Sequence, residues 1–198
     1  MNIKILSEYG HLESLLGLGL SYGKTSDITD LLSINKKLFD SLFSLSNKLA
    51  TKDCGHNKFL ESITVYIDIK APRYFWSQFD TFRVGITKQS ESTMHTITKR
   101  YLTQDDFELN IPDQTLDTLN GLIEQASGKY GDPEYFETLK NELPEGFLQR
   151  RIVCTNYKVL RNMIFQRKNH KLKEWKQFCK FMYENLKYNC YLEDVYKS

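Results

Sequence analysis

No apolar run in this sequence approaches the roughly eighteen residues that a membrane span needs. Cysteine is sparse as well: Cys54, Cys154, Cys179 and Cys190 are widely spaced, and no C-x-x-C occurs. That spacing excludes a zinc ribbon, and a chain of 198 residues rich in core side chains has no need of a disulfide framework. Cys54 and His56 stand two apart, but no second pair at zinc spacing completes four ligands, so no metal is expected. Nothing reads as a Ser-His-Asp or Cys-His constellation, which leaves a hydrolase without support. There are no repeats, low-complexity tracts or Pro/Ser-rich linkers, so one domain over 1–198 is expected. The N-terminal MNIKILSEYGHLES lacks an h-region and a small-residue cleavage site, so a cytoplasmic protein is expected.

What is present describes an ordinary globular chain, 40% apolar and 26% charged. The net charge of +2 conceals an uneven distribution. Between Phe147 and Lys180 stand Arg150, Arg151, Lys158, Arg161, Arg167, Lys168, Lys171, Lys173, Lys176 and Lys180, with Glu174 as the only acid. Such a run is either a solvated helix face or a surface for phosphate-bearing ligands or nucleic acid.

Periodicity sets the coarse elements. Ile28, Leu31, Leu38, Leu42, Leu45 and Leu49 form one stripe, predicting a helix over 27–50 capped by Thr25, Ser26 or Asp27. From Phe59 to Ile69 the pattern alternates, with Ile63, Val65, Ile67 and Ile69 pointing one way, the mark of a half-buried strand. Pro72 suits the first turn of a short helix over 73–81, and Pro112 with Asp113 opens another over 114–126. Gly128 and Gly131 punctuate a turn before a short helix around 134–141. Leu172, Trp175, Cys179, Met182 and Leu186 mark a last helix whose stripe reads as core or subunit interface. Helices mixed with few strands predict an α+β domain.

Two segments invite a chemical reading. Gly17 to Thr25, GLGLSYGKT, imitates a phosphate-binding P-loop, but that motif needs four residues between its glycines. Gly17 leaves five before Gly23 and Gly19 leaves three, and no buried β-run precedes the segment, so the P-loop is rejected. Lys70 to His95 reads as a strand end, an aromatic helix, then a polar loop carrying Arg83, Gln89, Ser90, Glu91 and Ser92. A guanidinium followed by clustered amides and hydroxyls suits a nucleotide: the cation meets a phosphate while small polar groups read a base edge or ribose. His56, at a loop edge beside the strand, is either a surface polar residue or a ligand contact.

Taken in order along the chain, these fragments resemble the flavin-dependent thymidylate synthases, the ThyX family. The family's A-A-R-V-S-Y-G-K is similar to Gly17 through Lys24, its G-H-E-[ST] to Gly55 through Lys58, and its K-A-P to Lys70, Ala71 and Pro72. Gln78 matches a Gln three residues before the family's R-H-R signature, whose positions are Thr81, Phe82 and Arg83, so the first Arg and the His are missing. Ser90 or Ser92 stands for the Ser that follows, and the Arg usually found two beyond it is absent. Leu143 and Pro144 match an L-P, Arg150 a nucleotide-binding Arg, Asn156 to Arg167 an N-x-R-S-L-x-x-F-x-x-L-R, and His170 to Lys176 an H-A-Q-x-E-I-R. The likeness covers roughly residues 15–180.

The resemblance implies a central, mostly antiparallel sheet flanked by helices. It implies methylene transfer from methylenetetrahydrofolate to dUMP, with FAD carrying hydride and NADPH as reductant, at sites shared between subunits of a homotetramer. It assigns FAD contacts to Ser21, His56, Asn156, Arg167 and His170, and nucleotide contacts to Gln78, Arg83, Gln89, Ser90, Arg150 and Lys176. Arg83 and Ser90 are the candidates nearest the chemistry. Lys58 and Lys88 stand where the family is uncharged or acidic, and are expected to offset the charge lost at Thr81. Two alternatives stay open: modification of a related pyrimidine nucleotide, such as hydroxymethylation, and a non-catalytic nucleotide- or protein-binding relative. Nucleic-acid binding by the basic stretch would show as steep salt dependence.

Overall fold

Alternation builds the sheet. In β2 (Thr64–Pro72) Val65, Ile67, Ile69 and Ala71 are fully buried on one face, while Tyr66 on the other is 39% exposed. Each buried Val or Ile there stabilises the fold by roughly 1.5–3 kcal/mol. Three further strands, β1 (Asn2–Tyr9), β3 (Thr87–Ser90) and β4 (Leu148–Asn156), complete an antiparallel four-stranded sheet in the order β1-β2-β4-β3. This computed structural model describes residues 1–52, 55–128 and 131–198. The helices among them are α1 (His11–Leu20), α2 (Lys36–Ala50), α3 (Arg73–Phe79), α4 (Thr93–Thr96), α5 (Asp113–Ala126), α6 (Pro133–Glu142), α7 (Tyr157–Arg167), α8 (Lys173–Asn185) and α9 (Glu193–Lys197). The architecture is α+β, as the sequence predicts. Cys54 lies outside the described residues; Cys154, Cys179 and Cys190 are free thiols, and burial pushes the Cys179 thiol up to about 12.

Several boundaries move. The helix predicted over 27–50 begins at Lys36, because Asn35 caps it by accepting from the Leu38 N–H at 3.0 Å. Thr25, a candidate cap, is buried and donates its hydroxyl to the Leu16 carbonyl at 2.8 Å instead. Residues 58–62 form a 3₁₀ turn, so the strand predicted from Phe59 begins at Thr64. A strand does precede the false P-loop: β1 is an edge strand with Ile3 buried but Leu6 and Tyr9 exposed, and so shows no apolar run. The polar segment after Arg83 is not wholly loop, since it holds β3 and the single turn α4.

Contacts divide the chain into two compact units. The first comprises Met1–Asn2, Ile69–Phe82 and Gln89–Ile152, and the second Ile3–Asp68, Arg83–Lys88 and Val153–Ser198. In the first, α5 and α6 pack through Leu119, Ile123 and Leu139 against Ile97, Leu102, Phe107 and Leu143. Asp106 ties this unit's loops. Burial pushes its carboxyl up, but two bonds from Arg100 and one from the Thr103 N–H outweigh that and leave it lowered.

The second unit buries polar groups deeply. His11 Nε2 lies 2.9 Å from the Tyr191 hydroxyl, which lies 2.8 Å from Ser46 Oγ, and the imidazole stacks on Tyr188 at 3.5 Å between centroids. Burial holds the imidazole down at about 4, against a smaller upward pull from Glu13. Tyr157 donates to the Glu8 carboxylate, which also accepts from the Lys187 N–H at 3.1 Å. The apolar stripe of α8 is core: Trp175, Phe178, Cys179 and Met182 are fully buried.

Candidate functional site

In the second unit an open cleft of about 700 Å³ lies between α1, the end of α2 and the 55–62 segment. Its lining includes Ser21, which follows α1 at its C-terminal end, and His56, so two of the proposed cofactor contacts are brought together. Leu18, Leu49 and Phe59 line it with apolar surface, and Lys58, Glu13 and Glu61 add charge. Gly10 lets the chain turn into α1 here: its φ is +84°, and a Cβ would sit 2.4 Å from the Ser62 carbonyl oxygen. The buried Asn57 stiffens the neighbouring wall, donating to the Ala50 carbonyl at 3.2 Å and accepting from Lys158.

The remaining cofactor candidates are not part of that lining. Asn156 caps α7, its side-chain oxygen accepting from the Val159 N–H at 3.0 Å. Arg167 closes the same helix, so the two stand about 16 Å apart along its axis. Arg167 lies over the Trp175 ring at 5.3 Å from its centroid, and His170 meets the same ring edge-on at 6.4 Å. His170 Nδ1 accepts from the Leu172 N–H at 3.1 Å, which leaves Nε2 as the donor. Burial, helped by the charges of Arg167 and Lys171, lowers its pKa. Lys176 is exposed on α8.

The nucleotide candidates fall mostly in the first unit. Gln89 and Ser90 end β3, Arg150 is exposed on the neighbouring β4, and the Glu91 N–H donates to the Arg150 carbonyl at 2.9 Å. The structure thus brings the backbones of Gln89, Ser90 and Arg150 to one ladder, with Gln89 and Ser90 consecutive on β3. Gln78 is half-buried on α3. Thr81, where the resemblance expects an Arg, closes that helix: its N–H and hydroxyl both donate to the Gln78 carbonyl, at 3.1 and 2.7 Å. Arg83 and Lys88 belong to the second unit. Arg83 is exposed beside the tight turn at Gly85, whose φ of +71° favours glycine and where a Cβ would sit 2.9 Å from the Val159 Cγ2 methyl.

A further candidate is one that the sequence pattern does not single out. Lys140 on α6 donates to the Thr93 hydroxyl, immediately beyond the polar segment of Ser90 and Ser92. Burial lowers its pKa, and the nearby charge of Arg73 lowers it further. A hint was its place as a lone cation on a helix with Glu134, Glu137 and Glu142. Among the described residues no cluster of His, Cys, Asp and Glu could hold a metal, and no helix is long and apolar enough to cross a membrane.

No family model and no curated protein matches the sequence. Among solved structures it is similar to thymidylate synthase X (ThyX) from Helicobacter pylori with FAD and dUMP, at 17% identity and a TM-score of 0.74 over 100% of both chains. It is likewise similar to the flavin-dependent thymidylate synthase ThyX of that organism complexed with FAD and dUMP, at 15% identity and a TM-score of 0.75 over 98% of this chain and 99% of that one. The chain therefore has the α+β fold of flavin-dependent thymidylate synthase structures.

Proposed function

We propose that the protein binds FAD in its second unit and dUMP, or a closely related pyrimidine nucleotide, in its first. We propose further that it acts as a flavin-dependent thymidylate synthase-like enzyme. The observation that carries this reading is the joint placement of Gln89, Ser90 and Arg150 at one β-ladder, within a fold whose solved examples hold FAD and dUMP. The cleft fits a flavin dinucleotide in the kind of groups it offers: Ser21 and His56 toward ribose or phosphate, Lys58 as a cation, and Leu18, Leu49 and Phe59 as apolar surface. Its volume also falls in the range of small-molecule sites. Bound there, FAD supplies hydride-transfer chemistry, with NADPH as reductant and methylenetetrahydrofolate as one-carbon donor.

The chain's own part is to bind and polarise. Arg150 neutralises the 5′-phosphate, Ser90 donates its hydroxyl, and Gln89 and Gln78 offer amides to the pyrimidine edge. Lys140 adds a second cation beside Thr93. Arg83 and Lys176, both in the second unit, supply further positive charge, as do Lys58 and Lys88. Arg167 and His170 offer donors to the cofactor's phosphates or ribose, and Asn156 contributes its amide N–H₂. A homotetramer with shared sites is part of the same proposal.

The commitment of Thr81 to the Gln78 carbonyl favours a second product. With a neutral Thr where the resemblance expects a cation, less positive charge is offered to the nucleotide, and the second reading is modification of a related pyrimidine nucleotide, such as hydroxymethylation. Incubating the FAD-loaded protein with dUMP, methylenetetrahydrofolate and NADPH, and weighing the product by mass spectrometry, tests both. dTMP supports thymidylate synthesis, and a product heavier by one oxygen selects hydroxymethylation. Bound FAD and dUMP without any product removes the enzymatic reading.

A further inference from the structure

Arg150 and Arg151 are consecutive on β4, where side chains alternate between faces, and the Arg151 guanidinium is committed within the first unit. Nη1 donates to both Asp80 carboxylate oxygens, at 3.1 and 3.0 Å. Nε and Nη2 donate to Gln149 Oε1 at 3.3 and 3.0 Å, and the group stacks over Trp76 at 4.5 Å from the ring centroid. The other end of the Gln149 side chain donates from Nε2 to the Glu91 carbonyl at 2.9 Å. Asp80, Arg151, Gln149 and Glu91 thus form a continuous hydrogen-bonded strap. One end lies two residues beyond Gln78 and the other one residue beyond Ser90.

The strap exceeds what anchoring the strand requires. Trp76 Nε1 already donates to the Gln149 carbonyl at 2.9 Å, and β4 already pairs with its neighbours. Nor is it a loose surface ion pair, since the Arg151 side chain is only 15% exposed. Serving Asp80, Gln149 and the Trp76 face together needs a planar fork, which Lys lacks.

The geometry points to Arg151 as a positioning residue for nucleotide binding, a role that rests on the reading of Gln78, Ser90 and Arg150 as nucleotide contacts. Through Asp80 it holds the end of the helix that carries Gln78. Through Gln149 it holds the backbone beside Ser90, where Glu91 also meets the Arg150 carbonyl. Groups held at one spacing before the ligand arrives lose less freedom on binding.

Calorimetric titration of dUMP into the full chain tests this, with FAD affinity measured in parallel. Gln149→Met and Arg151→Met are each expected to weaken dUMP binding about tenfold while FAD affinity stays within about twofold. Arg151→Lys should not restore it, and the Gln149→Met/Arg151→Met double variant should lose no more than the worse single variant. Should Arg151→Met fail to fold, Gln149→Met decides alone, because it leaves the Arg151–Asp80 pair intact. A folded Gln149→Met that binds dUMP as tightly as wild type overturns the strap, and so do additive losses in the double variant. Wild type that binds no dUMP removes the nucleotide reading and the strap with it. Normal wild-type binding with an indifferent variant removes the strap alone.

Discussion

The first unit carries thirteen Asp and Glu against eight Lys and Arg, and the second twelve against nineteen, giving net charges of −5 and +7. A phosphate therefore meets opposite surroundings in the two. In the second unit many cations share the work, so any one exposed lysine adds a small, salt-screened increment to a common field. In the first, acidic surroundings repel an anion, and only individually placed cations retain it. The proposed ones are Arg150 on β4 and Lys140 against Thr93. The lesson is that the same Lys or Arg substitution should cost far more in the first unit than in the second.

The largest effect should come from Arg150→Ala. It is expected to weaken dUMP binding on the order of 30-fold or more, about the worth of one charged hydrogen bond, with FAD affinity unchanged. Calorimetry with each ligand checks it, and equal losses for both ligands would break the division between the units. Acid should single out the second unit. His11 is held neutral by burial at about 4, below its ordinary 6.5. Its contribution to stability is therefore full above pH 6.5 and is lost as pH falls toward 4, by roughly 2–3 kcal/mol. Hydrogen exchange should show α1 and α2 losing protection over that window before α5 and α6, and a His11→Gln variant should flatten the acid limb. Lys140→Met should cost about tenfold in dUMP affinity. Lys176→Ala should be smallest, within about twofold for either ligand and vanishing in high salt.

Much of this was legible where the signal is local. β2 alternates cleanly, though the strand begins five residues later and ends three later than the pattern suggests; α5 and α6 carry strong periodicity with Pro near their starts, and their bounds agree to within one residue. β4 was not read as a strand. Gln149, Arg150 and Arg151 look like part of a basic run until Asp80, 71 residues away, accepts from Arg151, whose side chain is largely buried in unit 1. Lys140 was hidden for the same reason, since Thr93, 47 residues earlier, is what gives it a place. Of the proposed site residues, Ser21 with His56, and Gln89 with Ser90 and Arg150, come together in space. Asn156 matches a family motif, yet its side-chain oxygen is also what a helix start requires, and the sequence does not distinguish the two.

The most direct measurement is the visible spectrum of the FAD-loaded protein during titration with dUMP, run on wild type and on Arg150→Ala. Flavin bands that shift with dUMP in wild type, and that stay bound but no longer shift in Arg150→Ala, are the predicted result. An FAD-loaded wild type whose bands ignore dUMP, or an Arg150→Ala variant that responds with wild-type affinity, would contradict it.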